Sequence, residues 1–153
     1  MAIRVLAAED NHAEWLRMRR SLWPDCGEAM HELEMAEQAD EPDRWAVLVV
    51  DRGAGRLGGF AELSVRARVD GSTSEQVAYL EGWYVDPDLR GRGIGRELVV
   101  ATERWAVARG LTELASDAEL WNEAAIAAHR AVGFRETFRA VHFLKGVEPE
   151  SSR

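Results

Sequence analysis

A single cysteine, Cys26, stands among the 153 residues, so no intramolecular disulfide can form and a reducing compartment is expected. No His or Cys accompanies it at zinc-ligand spacing, and no metal is expected. Its plain reading is a small side chain in a loop between two helices. Long apolar runs are missing as well. None approaches the roughly 20 residues that cross a bilayer, so no membrane partner is expected. Positive charge is in deficit: 19 Lys and Arg against 27 Asp and Glu leave a formal net charge of −8. That balance argues against nucleic-acid binding and suits a cationic ligand. Met1-Ala2-Ile3-Arg4 runs straight into a strand pattern, with no sign of a signal peptide, and a cytoplasmic chain is expected. Without repeats or a dividing linker, one domain is expected over residues 1–147, large enough to bury a core, followed by a polar tail over 148–153.

Glycine, by contrast, is concentrated. The strand-like Trp83-Tyr84-Val85 ends at Asp86-Pro87, and Arg90-Gly91-Arg92-Gly93-Ile94-Gly95-Arg96 then feeds a long helical pattern. Three glycines in five residues let the backbone curl, because glycine takes positive φ without steric cost. Curled amides and the free N–H groups of a helix start make an anion nest; Arg90, Arg92 and Arg96 add charge to it. A nucleotide-triphosphatase loop needs Gly-Lys-Ser/Thr where Gly95 is followed by Arg96-Glu97, and a dinucleotide fingerprint needs a different glycine spacing. A pyrophosphate cradle of another kind remains, with a turn that only caps a helix as the plainer alternative.

Around this loop the periodicities predict a strand over Ile3–Ala7 and a helix with Trp15, Met18 and Leu22 on one face. They predict a second helix over Glu28–Gln38 with Met30 and Leu33 inward, and a buried strand over Trp45–Val50. Ala61, Leu63, Val65, Ala67 and Val69 alternate with polar residues up to an Asp70-Gly71 hairpin turn, and Val77–Val85 returns. A helix follows with Ile94, Leu98, Ala101, Trp105 and Ala108 on one stripe. Then come a strand over Glu113–Asp117, a helix over Asn122–Val132 and a last strand over Phe134–Leu144. The order β-α-α-β-β-β-α-β-α-β gives an α/β domain, a mixed sheet with helices on both faces.

Read as R/Q-x-x-G-x-G, Arg90–Gly95 resembles the acetyl-coenzyme A loop of the GNAT N-acetyltransferases, and the element order is theirs. Further words resemble the aminoglycoside 6′-N-acetyltransferases within that superfamily. They are Leu22-Trp23-Pro24, Leu80-Glu81-Gly82-Trp83-Tyr84-Val85, Ala115-Ser116-Asp117-Ala118, Asn122, His129, Gly133-Phe134 and Glu136-Thr137. The resemblance implies a GNAT fold, acetyl-coenzyme A as co-substrate, a cationic aminoglycoside as acceptor and a homodimer. It implies cofactor contacts from Trp83, Tyr84, Val85, the loop from Arg90 to Arg96, and Asn122. Trp23, Glu81, Asp117 and Glu136 are implied on the substrate side. An acetyltransferase of another amine and a non-catalytic acetyl-coenzyme A-binding module are the alternatives.

An aminoglycoside is a polycation with little apolar surface, so its site calls for carboxylates and a flat aromatic wall. By alternation Tyr79, Glu81 and Trp83 share one face, and Asp117 ends the neighbouring strand, where ligands bind in open sheets. Glu81 and Asp117 either flank one crevice or are ordinary solvated or Arg-paired carboxylates. In the first case Glu81, then Asp117, is the candidate to take the ammonium proton. Trp23 is either the aromatic wall or core, and Glu136 either a substrate carboxylate or bare surface. Where many relatives carry a Tyr acid for the thiolate, His129 stands, as that acid or as a packed residue. The hairpin residues Ala67, Arg68 and Val69 offer no aromatic where relatives often do.

Overall fold

The apolar run Trp45–Val50 and the alternating stretches flanking the Asp70-Gly71 turn form the middle of a five-stranded sheet. The computed structural model describes residues 1–150. Its elements are β1 (Ala2–Val5), α1 (His12–Leu22), α2 (Glu28–Asp40), β2 (Trp45–Gly53), β3 (Arg56–Ala67), β4 (Gln76–Val85), a 3-10 turn (Pro87–Leu89), α3 (Ile94–Ala108), β5 (Leu114–Ser116) and α4 (Glu123–Ala131). The sheet runs β1-β2-β3-β4-β5. Its first four strands pair antiparallel, and β5 returns after α3 to lie parallel to β4. This is the mixed α/β sheet that the sequence predicts.

Alternation along the strands sorts the core into two layers. On one face Leu48, Leu63 and Leu80 pack against Ile94, Leu98, Val99 and Trp105 of α3. On the other, Val47, Val49, Phe60 and Tyr84 pack against Trp15 and Met18 of α1. Asn11 caps α1 and Asn122 caps α4, each through its side-chain oxygen. The first strand and the hairpin lie close to their expected bounds.

Three expectations are corrected. Phe134–Leu144 forms no strand: residues 135–150 are exposed, Phe143 by 92 % and Val147 by 86 %. A strand needs a neighbour for its N–H and C=O groups, and this stretch pairs with none among the described residues. On α2 the apolar Met30 and Leu33 are 50 % and 52 % exposed, while His31 and Gln38 are buried. The helix turns its polar side inward because α1 and β3 present it with a buried charge pair, Arg19 and Glu62. For the same reason Glu62 and Ser64, polar members of the alternation on β3, are buried beneath α1 and α2.

These two leucines separate the periodicity from the packing. Leu98→Ala is expected to lower unfolding free energy by about 2–5 kcal/mol, whereas Leu33→Glu should stay within about 0.5 kcal/mol of the parent. Urea midpoints on the two variants check both.

Candidate active site

The sheet comes apart at one place. β4 and β5 pair only through Ala78–Leu80 and Leu114–Ser116, after which the strands diverge and Glu81–Val85 lose their β5 neighbour. On the other side of β4 the register to β3 shifts between Leu63↔Leu80 and Glu62↔Gly82, leaving Glu81 as the extra residue of a bulge. A bulge bends its strand and re-aims side chains. Tyr79 and Glu81 therefore look toward α1 and α2, while Trp83 packs with the α3 side, its Nε1 donating to Gly95 O at 3.1 Å. The expectation that Tyr79, Glu81 and Trp83 share one face fails at this bulge.

At the apex of the split, Ser116 Oγ donates to Leu80 O at 3.0 Å and meets His129 Nε2 at 2.8 Å. His129 Nδ1 is bonded to Ala125 O at 2.7 Å, and its ring packs between Trp83 and Phe134, both centroids 5.3 Å away. Both nitrogens are thus tied, and His129 plugs the base of the split.

The glycine loop lies at its mouth. Asp86 ends β4 under a fork from Arg17 at 2.9 and 3.1 Å and a further bond from Arg52. Gly91 and Gly93 take φ of 77° and 81°, and a Cβ at either would meet nothing within 4 Å. Gly93 caps α3 without any side chain, so the first amides of α3 have no partner within the helix. Arg90 Nε donates to Val85 O and Arg96 to Ala131 O, which fastens the loop to its neighbours. Arg92 makes no ion pair among the described residues. A glycine turn with open space beside it and a helix N-terminus behind it suits a pyrophosphate. The residues present fit the nucleotide end of coenzyme A. Asn122 Oδ1 is spent on its helix, accepting from Ala125 N at 3.1 Å.

On the α1–α2 side the carboxylates differ in their partners. Glu81 accepts from Ser64 Oγ at 2.7 Å and from the Arg66 fork at 2.8 and 2.7 Å. Arg66 also lies 3.5 Å over the Tyr79 ring. Asp117 is exposed, and the Tyr79 hydroxyl donates to it. Burial and then that bond push the Tyr79 phenol above its ordinary range. The Trp23 ring abuts β4: a Cβ on Gly82 would come within 2.5 Å of its Cη2, so the strand carries glycine there. Glu136 sits on the exposed C-terminal stretch, paired with Arg130 and Arg139. Its carboxyl is held below the usual range chiefly by Arg139.

Cys26, His31 and Glu34 bring potential ligand atoms within 4.8 Å of one another, which the short-range spacing about Cys26 does not reveal. Arg19, however, already bonds two of the three, His31 Nδ1 at 3.2 Å and the Glu34 carboxylate. A guanidinium is the cation this cluster holds.

The model of the Acetyltransferase (GNAT) family matches residues 11–134. The chain belongs to this family. A curated GNAT relative, aminoglycoside N(6′)-acetyltransferase type 1 of Klebsiella aerogenes, is 45% identical over 137 residues, 87% of this chain and 89% of that protein. The crystal structure of aminoglycoside antibiotic 6′-N-acetyltransferase AAC(6′)-IG from Acinetobacter haemolyticus superposes with a TM-score of 0.87 at 34% identity, covering 97% of this chain and 100% of that one. AAC(6′)-Iy in complex with the bisubstrate analogue CoA-S-monomethyl-acetylneamine has a TM-score of 0.85 at 32% identity, covering 95% and 98%.

Sequence reasoning missed Arg19, Glu62, Ser64 and Arg66. The available signal was the polar spacing His31, Glu34, Gln38 along α2, which at i, i+3 and i+7 lies on one side of the helix, with His31 and Gln38 buried and Glu34 at its margin. The GNAT loop yields a direct prediction. In Gly93→Val a β-branched residue is forced to positive φ and its methyls fill the cradle. Calorimetry should find coenzyme A binding lost while circular dichroism still reports the fold; unchanged affinity would remove the loop from the site.

Proposed function

We propose that the chain is an aminoglycoside 6′-N-acetyltransferase that moves the acetyl group of acetyl-coenzyme A onto the 6′-amine of an aminoglycoside antibiotic, and so confers resistance. The observation that carries it is the split between β4 and β5, with a glycine cradle at its mouth and an exposed carboxylate, Asp117, at its lip. Two relatives named for this reaction, described above, are similar over most of their length. The AAC(6′)-Iy complex carries both the cofactor and the antibiotic portion of its bisubstrate analogue.

Acetyl-coenzyme A supplies an activated acyl carbon on a thiolate leaving group. The chain's residues do the rest. Backbone amides of the cradle and Arg92 hold the pyrophosphate, and the unpaired edge of Trp83–Val85 holds the pantetheine arm, with Asn122 beside it. A backbone N–H of that edge is available to the developing oxyanion. Asp117 receives the antibiotic's ammonium and takes its proton, directly or through water, before the nitrogen attacks the carbonyl carbon and the carbon–sulfur bond breaks. Glu81 already serves Arg66 and Ser64, so its part is to shape the crevice more than to accept the proton. Trp23 is the aromatic wall, and Glu136 a further carboxylate on the antibiotic side.

The functional unit in this reading is a homodimer working in the cytoplasm, where acetyl-coenzyme A is made. Support for the dimer comes from the C-terminal stretch, whose Phe138, Val141, Phe143, Leu144 and Val147 are all exposed. So long an apolar edge is rarely left in water, and a second copy is the occupant proposed. Light scattering on the full chain should give twice the 17.1 kDa of one chain. Deletion of residues 138–153 should halve that mass; a full chain that is monomeric at micromolar concentration contradicts the dimer.

Locating the acetyl group in the product by NMR tests the reaction itself. It should sit on the 6′-nitrogen, and an antibiotic with a 6′-hydroxyl in its place should stay unmodified there. Acetylation on another ring would refute the regiochemistry. Asp117→Asn should lower kcat about 10²–10⁴-fold, the range of a positioned general base. Glu81→Gln should act mainly on KM. Reversed effects would exchange the two roles.

A further inference from the structure

Glu62 is an expensive residue to keep. It lies 2 % exposed on β3, directly across from Gly82 at the bulge. Its carboxylate accepts from Arg19, from Trp15 Nε1 at 2.9 Å and from Gln38 Nε2 at 3.2 Å. Burial pushes the carboxyl upward, and Arg19 with the two neutral donors pulls it back. Arg19 is fully buried. Two neighbours go unsatisfied among the described residues: His31 Nε2 and Gln38 Oε1 are buried without partners. A buried ion pair seldom outperforms apolar packing of the same volume, and each orphaned polar atom keeps the full cost of losing its water. Stability alone is a poor reason for this arrangement.

Its geometry supplies another. The Arg19 guanidinium lies 4.8 Å from the Trp23 ring centroid, and Phe60 meets the same ring edge-on at 6.2 Å. Trp23 is thus held between Arg19, Phe60 and the glycine gap of β4. A guanidinium stacks well only while its plane is fixed. Here Glu62 from the sheet and Glu34 and His31 from α2 fix it from three directions.

We propose that Glu62 and Arg19 are positioning residues for the acceptor: together they orient Trp23, the aromatic wall, and tie α2 to the bulge that turns Glu81 into the crevice. This rests on the acceptor-site reading of Trp23. It assigns the antibiotic's fit to a charged pair that touches neither substrate.

Fluorine NMR of protein carrying 5-fluorotryptophan reads the wall without any turnover. The Trp23 signal is assigned by its disappearance in Trp23→Phe. In Glu62→Gln, which keeps size and loses charge, that signal should shift or broaden, and the aminoglycoside KM should rise about tenfold or more with the acetyl-coenzyme A KM unchanged. Arg19→Lys should do the same, and Glu62→Gln added to Trp23→Leu should raise KM no further than Trp23→Leu alone, as coupled residues do. A merely structural role would reduce folded enzyme and leave KM in place. An unmoved Trp23 signal in folded Glu62→Gln overturns the proposal, as does an unchanged aminoglycoside KM where Trp23→Leu raises it. An unchanged KM in Trp23→Leu refutes the wall and the proposal together. Should Glu62→Gln fail to fold, Glu34→Gln at its half-exposed position must move the same signal in a smaller degree, and a fixed signal there overturns the proposal equally.

Discussion

A parallel strand pair, β4 with β5, that holds for three residues and then parts is the constraint on which this molecule is built. Unpaired backbone groups in an interior are costly, and each neighbouring feature answers that cost. The Ser116 hydroxyl closes the last carbonyl of the ladder, and His129 fills the apex. The bulge at Glu81 bends β4 away just where β5 leaves it. Beyond that point one edge of β4 has no strand partner, and the glycine loop before α3 stands at the mouth of the split; in the proposed function these two take the pantetheine arm and the charged end of the cofactor.

Arginine allocation then decides which acid is chemically free. Arg66 is spent on Glu81, Arg19 on Glu62 and Glu34, and Arg17 with Arg52 on Asp86. Among the described residues Asp117 keeps only a phenol. A chain of net charge −8 attracts a polycation through its whole field, and a carboxylate without a guanidinium is the freer one to bond an ammonium. The Arg66 side chain also occupies the ground over Tyr79 where the hairpin, with Ala67, Arg68 and Val69, brings no aromatic of its own.

Much of this was legible in the residues. The glycine spacing marked the positive-φ turn that opens α3, because positive φ has few other sequence signatures. The Leu-Glu-Gly and Ala-Ser-Asp words, read as a family resemblance, stand on β4 and β5, the two strands that separate. What escaped the sequence has physical causes. A bulge inserts one residue without changing composition, so alternation carried Trp83 to the wrong face. Met30 and Leu33 satisfied helical periodicity, but the partner surface of α2 was charged, and charge drew His31, Glu34 and Gln38 inward instead. Phe134–Leu144 has the composition of a strand and finds no partner strand among the described residues. Long-range pairs such as Arg19 with Glu62 leave no local pattern at all.

Free-thiol release from acetyl-coenzyme A, measured against a panel of aminoglycosides, polyamines and peptides, tests the central claim most directly. Saturable release with aminoglycosides that carry a 6′-amine, and none above background with polyamines or peptides, is the predicted result. Release driven by peptides or polyamines would contradict it, and cofactor binding without release on any amine would make the split a sensor's pocket instead of an active site.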